Sequence, residues 1–161
     1  MYKLKPQTYQ DLEIGTEGRF SKQLTERDII LFGETSGDIN PVHFDTEYAA
    51  TTTFETRIAH GMWSAGLIST VIGVVMPGPG SIYISQDLKF KRPVRIGDTL
   101  TAVLTVKKKI EIFKYVVLDC KVINQNDEVV TQGEATVMPP KSSAELDSPE
   151  IPLVHVSGID S

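Results

Sequence analysis

"MWSAGLISTVIGVVM", residues 62–76, runs straight into "PGPG" at 77–80, and its reading decides the architecture. It is the most apolar run in the chain, broken only by Ser64, Gly66, Ser69, Thr70 and Gly73. That is shorter than the roughly 20 residues a membrane-spanning helix needs. The proline stops a helix, so the spacing predicts one that begins at or just after His60-Gly61 and ends before Pro77. Such a helix is apolar nearly all round and must be covered on most sides.

The C-terminal half of the chain can supply the cover. From Ser81 the pattern changes to period two. Leu100, Ala102, Leu104 and Val106 share one face of "TLTAVLTVKK", and Val116, Leu118, Cys120 and Val122 share one face of "KYVVLDCKVI". "EVVTQGEATVM" alternates more weakly, and Gly97-Asp98 and Asn126-Asp127 are the turn signals between strands. The sum is a long antiparallel meander wrapped around one buried helix, the economical way to keep that helix dry. Upstream, "RFSKQL" reads as a short strand. Thr25 and Asp28 form a capping-box pair ahead of a short helix with Ile29, Ile30 and Phe32 on its apolar side, ending near Gly33 or Gly37. Asp45 is placed to cap a second short helix in "TEYAATTTF".

The 161 residues are most simply one domain, 1–138, followed by a Pro-, Ser- and acid-rich tail, 139–161, expected to be mobile with "IPLVHV" docking on the surface. A net charge of −5 argues against nucleic acid as the main partner. The N-terminus lacks the apolar core of a signal peptide. The single cysteine, Cys120, allows no intrachain disulfide and no cysteine-based zinc site, and suits a reducing cytoplasm.

Two motifs carry chemistry. "SGDINPVHFD", residues 36–45, places Asp38, Asn40 and His43 within an apolar stretch. Pro41 biases Asn40 toward an extended conformation, which reads as a fixed loop rather than a helical turn. A carboxylate and an imidazole held together can grip one water, the acid taking a proton while the ring orients it. The same residues also suit a plainer role, with Asp38 and Asn40 tying down a turn and His43 a bonded core residue. The second motif is "AHGMWSAG", residues 59–66. A glycine opening a buried helix gathers unpaired N–H groups and the positive end of the helix dipole, which suits an oxyanion, or else it only permits tight packing. Together the motifs describe equipment for adding water across an α,β-unsaturated thioester.

"SGDINPVHFD", "RIAHGMWSAGLIS" and "GSIYISQDLKFKRPVRIGDTL" resemble the MaoC-like (R)-specific enoyl-CoA hydratases, the hydratase 2 group of the hotdog fold. The resemblance covers roughly residues 12–138. It implies an α+β hotdog, an antiparallel sheet around a long central helix, with short overhang helices carrying the catalytic loop. It also implies reversible syn hydration of trans-2-enoyl-CoA to (R)-3-hydroxyacyl-CoA. Carried over, Asp38 is the acid/base, His43 its partner, and Gly61 the oxyanion donor. Ser69 supports the site and Asn40 shapes the loop. His60 and Met62 flank the substrate side, although a helix-start imidazole such as His60 also suits a structural role. Trp63 stands where a smaller aliphatic is usual and reshapes the acyl pocket. Lys89, Lys91 and Arg92 are candidates for coenzyme A phosphates, although alternating charges on a strand also make a solvated face. The resemblance implies a homodimer, an acyl-CoA substrate, and neither metal nor organic cofactor. The fold alone also hosts 3-hydroxyacyl-ACP dehydratases, thioesterases and non-catalytic acyl-CoA binders.

Overall fold

The computed structural model describes residues 2–159; residues 1, 160 and 161, the outermost positions of the expected domain and tail, lie outside it. Its centre is α4, Gly61–Thr70, continued by a wider π-helical turn, Val71–Val75, up to Met76 and Pro77. Trp63, Ser64, Leu67, Ile68, Val71 and Ile72 are buried along this element. They meet the buried face of a five-stranded antiparallel sheet, to which β4 (Thr99–Ile110) contributes Leu100, Ala102, Leu104 and Val106. From β5 (Tyr115–Ile123) come Val116, Leu118, Cys120 and Val122. These are the alternating residues the pattern singled out, and burying each aliphatic contributes about 1.5–3 kcal/mol.

The strand order is β2-β4-β5-β6-β3, with β2 at Glu17–Gln23, β6 at Val129–Met138 and β3 at Ile82–Phe90. This corrects the continuous meander expected from Ser81 onward. Only β4, β5 and β6 meander; β3 pairs with β6 at the far edge and not with β4. Period-two patterning marks a strand but not its neighbour. The β3–β4 connection is no hairpin: it carries Pro93 and passes the helix start, where the Ala59 amide donates to the Val94 carbonyl at 2.8 Å.

One stripe of α4 has no cover. Met62, Gly66, Ser69 and Gly73 are exposed, and β3 beyond the sheet edge exposes Ile82, Ile84 and Phe90. Among the described residues nothing covers that side of the helix.

Helix α1 (Glu26–Ser36) has the expected capping box: Thr25 Oγ1 accepts from the Asp28 amide, and Asp28 accepts from the Thr25 amide at 2.9 Å. It ends at Gly37, whose φ of 78° is the left-handed conformation that glycine adopts without steric cost. Two short helices come next, α2 (Pro41–Phe44) and α3 (Thr46–Ala50). Asp45 is the C-cap of the first and the side-chain N-cap of the second.

The segment after residue 138 begins close to the body. β7 (Leu146–Asp147) pairs with β1 (Lys3–Leu4), and the Ser148 amide donates to the Tyr2 carbonyl at 2.9 Å. In "IPLVHV" the Val154 carbonyl accepts from Arg27, while Ile151 and Leu153 are exposed.

Candidate active site

The segment after Asn40 is a helical turn and not the fixed loop expected from Pro41. Asn40 is extended, with ψ 125°, as a residue before proline should be. Proline itself is favoured at the first helical position, so the next four residues wind into α2. Asn40 caps that turn, its Oδ1 accepting from the Val42 amide at 3.2 Å. His43 therefore rides on a capped helical turn that drives its ring inward, where it is 7% exposed.

The hydrogen bonds fix the ring states. His43 Nδ1 lies 2.8 Å from the Ile58 carbonyl, and His60 Nε2 lies 2.9 Å from the Asp38 carbonyl. A carbonyl only accepts, so each of these nitrogens carries a proton. In the neutral ring His43 Nε2 is then the lone-pair acceptor, while His60 Nδ1 is buried with no hydrogen-bond partner among the described residues. The two imidazoles lie 3.8 Å apart between centroids, tilted by 30°, and the Phe32 ring lies 4.7 Å from that of His60. Burial holds the His43 pKa below the ordinary histidine value; the Ile58 bond opposes this, His60 adds to it, and Asp38 opposes it. His43 is thus a neutral acceptor near neutral pH.

Asp38 is exposed and follows Gly37 out of α1. Its Oδ1 accepts from the Asn40 amide at 3.2 Å. Asp38, His43 and His60 each bring one ligand-type atom within 4.8 Å of the others. His60, however, has spent Nε2 on a carbonyl and has Nδ1 sealed in. The carboxylate and His43 Nε2 are what the cluster presents, a pair suited to one water rather than the four-coordinate shell of a structural zinc.

The helix start lies alongside. His60 is the N-cap of α4, and the Gly61 and Met62 amides have no acceptor among the described residues. The first turn is latched to the sheet: Ser64 Oγ donates to the Gly61 carbonyl at 2.7 Å and lies 2.8 Å from Thr131 Oγ1 on β6. A cavity of about 260 Å³ opens beside Gly61, with Phe54, Phe90, Val94, Lys91 and Arg92 among its walls. Asp38 and His43 are outside that wall; His60 is the partition, lining the cavity and lying against the His43 ring.

The other sequence candidates separate. Met62 is exposed beside Gly61, but Trp63 turns into the core and takes no part in the cavity wall. Ser69 sits on the open stripe of α4, with no hydrogen bond to Asp38 or His43. Lys89 lies in an outer groove of the sheet with Asp87, Asp119 and Glu134, apart from Lys91 and Arg92. Arg92 is paired with Glu128 at 3.3 Å, whereas Lys91 makes no ion pair among the described residues. Cys120 is inert, its thiol pushed up to about 12 by burial. Phe90, Ser64 and Thr131 went unnoticed in the sequence, because a Phe, a Ser and a Thr carry no spacing that marks them.

Known proteins match this layout. The MaoC-like domain matches residues 10–128. The (R)-specific enoyl-CoA hydratase of Rhodospirillum rubrum is 50% identical over 134 residues, 82% of this chain and 91% of that protein. The 3-hydroxybutyryl-CoA dehydratase of Methylorubrum extorquens is 45% identical over 133 residues, 83% of this chain and 84% of that protein. The solved structure of the R-hydratase PhaJ1 from Pseudomonas aeruginosa, in its unliganded form, superposes with a TM-score of 0.91 at 42% identity. It covers 97% of this chain and 100% of its own.

Proposed function

Since the chain belongs to the MaoC-like family of hydratases and dehydratases, with the hotdog fold its relatives share, we propose that it hydrates trans-2-enoyl-CoA reversibly to (R)-3-hydroxyacyl-CoA. The observation that carries this reading is the cluster in which the exposed Asp38 carboxylate and His43, its Nδ1 engaged by the Ile58 carbonyl, each bring an atom within 4.8 Å of the other, with His60 between His43 and the cavity beside Gly61.

In this reading a water donates one hydrogen bond to His43 Nε2 and passes its other proton to Asp38. The oxygen bonds to Cβ, the Cα–Cβ π pair becomes the double bond between Cα and the carbonyl carbon, and the carbonyl π pair moves onto the thioester oxygen. The enolate oxygen takes its hydrogen bond from the Gly61 amide, at the positive end of α4. Asp38 then returns the proton to Cα on the face the water attacked, giving syn addition. Atoms balance with water alone, so the reaction calls for neither a metal nor an organic cofactor. Lys91, which lines the cavity and makes no ion pair among the described residues, meets a phosphate of the carrier in this reading, with Arg92 beside it.

The enzyme works as a homodimer in this proposal. The open stripe of α4 and the apolar edge of β3 are the surfaces a second copy would cover, and cover there would close the site over Asp38 and Gly61. No helix among the described residues is long and apolar enough to cross a membrane, and the buried free thiol of Cys120 suits a cytoplasmic setting.

The test is Asp38→Asn assayed on crotonyl-CoA. Asp38 is exposed and joins no ion pair among the described residues, so the variant should unfold with the wild type while turnover falls on the order of 10³-fold or more. Unchanged turnover would remove Asp38 from the mechanism. Release of free coenzyme A instead of loss of the enoyl absorbance would turn the assignment to thioesterase.

A further inference from the structure

Phe90 is the nearest side chain on the face of Gly61 where a Cβ would stand. The three heavy atoms nearest that position all belong to Phe90, with Cδ1 and Cε1 at 3.2 Å and Cγ at 3.5 Å. Phe90 ends β3, pairs with Thr131 across the ladder, and keeps half its surface exposed (50%) while walling the cavity beside Gly61. Its place relative to the helix is fixed from two directions. The ladder holds its backbone against Thr131, and Thr131 reaches the Gly61 carbonyl through Ser64. An aromatic ring is thus held on the first residue of a helix whose leading amides have no acceptor.

An amide stabilises a developing oxyanion strongly only where water does not compete for either partner. Gly61 and Met62 are both exposed, so the helix start by itself leaves that condition unmet. Phe90 is the residue placed to meet it. We infer that Phe90 is a positioning residue of this site, its ring forming the wall that presses the thioester carbonyl onto the Gly61 amide and keeps water from that hydrogen bond. The inference rests on the hydratase reading above. It accounts for the glycine at 61 together with the aromatic at 90: a Cβ at 61 would stand 3.2 Å from the ring, so glycine is what lets the ring come this close to the first residue of the helix.

The experiment measures kcat and KM of wild type, Phe90→Ala and Phe90→Leu on crotonyl-CoA. Beside it, the near-ultraviolet absorbance of bound acetoacetyl-CoA reads how much of it the site holds as enolate. Phe90 is half exposed in one chain and lies on the edge proposed for pairing, so thermal unfolding and sedimentation of both variants are matched to wild type, and Phe90→Leu keeps apolar cover should alanine disturb the strand. Opening the wall weakens one oxyanion hydrogen bond without deleting its donor, so kcat of Phe90→Ala should fall about 10-fold, below the loss of a whole donor. KM should move less than about 3-fold, and the enolate fraction should fall with kcat, leucine lying between, since only the oxyanion hydrogen bond changes. Wild-type kcat and enolate fraction in both variants would overturn the inference, as would a loss confined to KM. A wild-type protein that leaves crotonyl-CoA unhydrated would overturn the hydratase reading and this inference with it, a result distinct from active wild type with unaffected variants.

Discussion

Replacing Gly61 by alanine separates chemistry from stability at the helix start. The added methyl would stand 3.2 Å from two carbons of the Phe90 ring, a few tenths of an ångström inside ordinary contact. Phe90 is half exposed, so the ring can yield, and the penalty falls at or below the low end of the ~1–3 kcal/mol that overpacking a core costs. Against it stands a gain from glycine to alanine that stays below the roughly 1 kcal/mol of a helix interior, because Gly61 is the first helical residue. The two nearly cancel, and the midpoint of thermal unfolding should stay within about 4 °C of wild type. Gly133 shows the contrast: a methyl there would meet the Asp87 carbonyl oxygen of the paired strand at 1.8 Å, which no side-chain motion relieves. Activity should not survive Gly61→Ala so easily. With the methyl in place the carbonyl is held off the amide, and loss of one oxyanion donor costs about 10²–10³ in kcat. Spectrophotometric hydration of crotonyl-CoA together with scanning calorimetry gives both numbers. A variant with wild-type kcat would show that Gly61 serves packing alone.

The same geometry sets three further outcomes. Ser64→Ala strands the buried Thr131 hydroxyl and should cost about 1–3 kcal/mol in urea unfolding, whereas Ser64→Ala with Thr131→Val should recover much of that loss; additive losses would deny the latch. The depressed His43 pKa means the unfolded chain binds its proton first, so its contribution to stability is complete above about pH 6.5 and is lost as pH falls through the folded-state value. Unfolding midpoints should drop on acidification below that point, and His43→Gln should flatten the slope; an unchanged slope would place the titration elsewhere. Gly66→Ala meets nothing within 4 Å in one chain and should stabilise an isolated α4 by about 1 kcal/mol. If two copies pack on that stripe it should instead weaken their association in sedimentation, and a purely stabilising effect would count against the interface.

Much of the fold was legible because local rules and tertiary need agree. α4 announces itself by apolar length and a terminal proline, α1 by Thr25 and Asp28, and β4 and β5 by alternation that the buried faces reproduce residue for residue. The places where the reading failed are those set by distant partners. β3 carries the same texture as its neighbours, and nothing in it says that it pairs with β6. Pro41 reads two ways, as a restraint on Asn40 and as a first helical residue, and only the capped turn decides. His43 and Asp38 stand out because an acid and an imidazole share six residues, but His60 gains its place through a ring contact and a carbonyl, neither of which leaves a trace in spacing. Phe90 and Gly61 are separated by all of α4, the π-helical turn and β3, so their contact exists only after the sheet has wrapped.

The clasp of β1 and β7 pairs Lys3 with Asp147 and Leu4 with Leu146 through two-residue strands, and beside it the Tyr2 amide donates to Ser148 Oγ across 146 positions. Drawing such remote ends together in an unfolded chain is an entropic debt that so few bonds cannot meet unaided, because the closure term grows with the length spanned. The clasp therefore assembles last, after the wrapped body has already carried both ends to one side. It opens first when that body loosens, a late fastening whose presence reports that everything between its halves is in place.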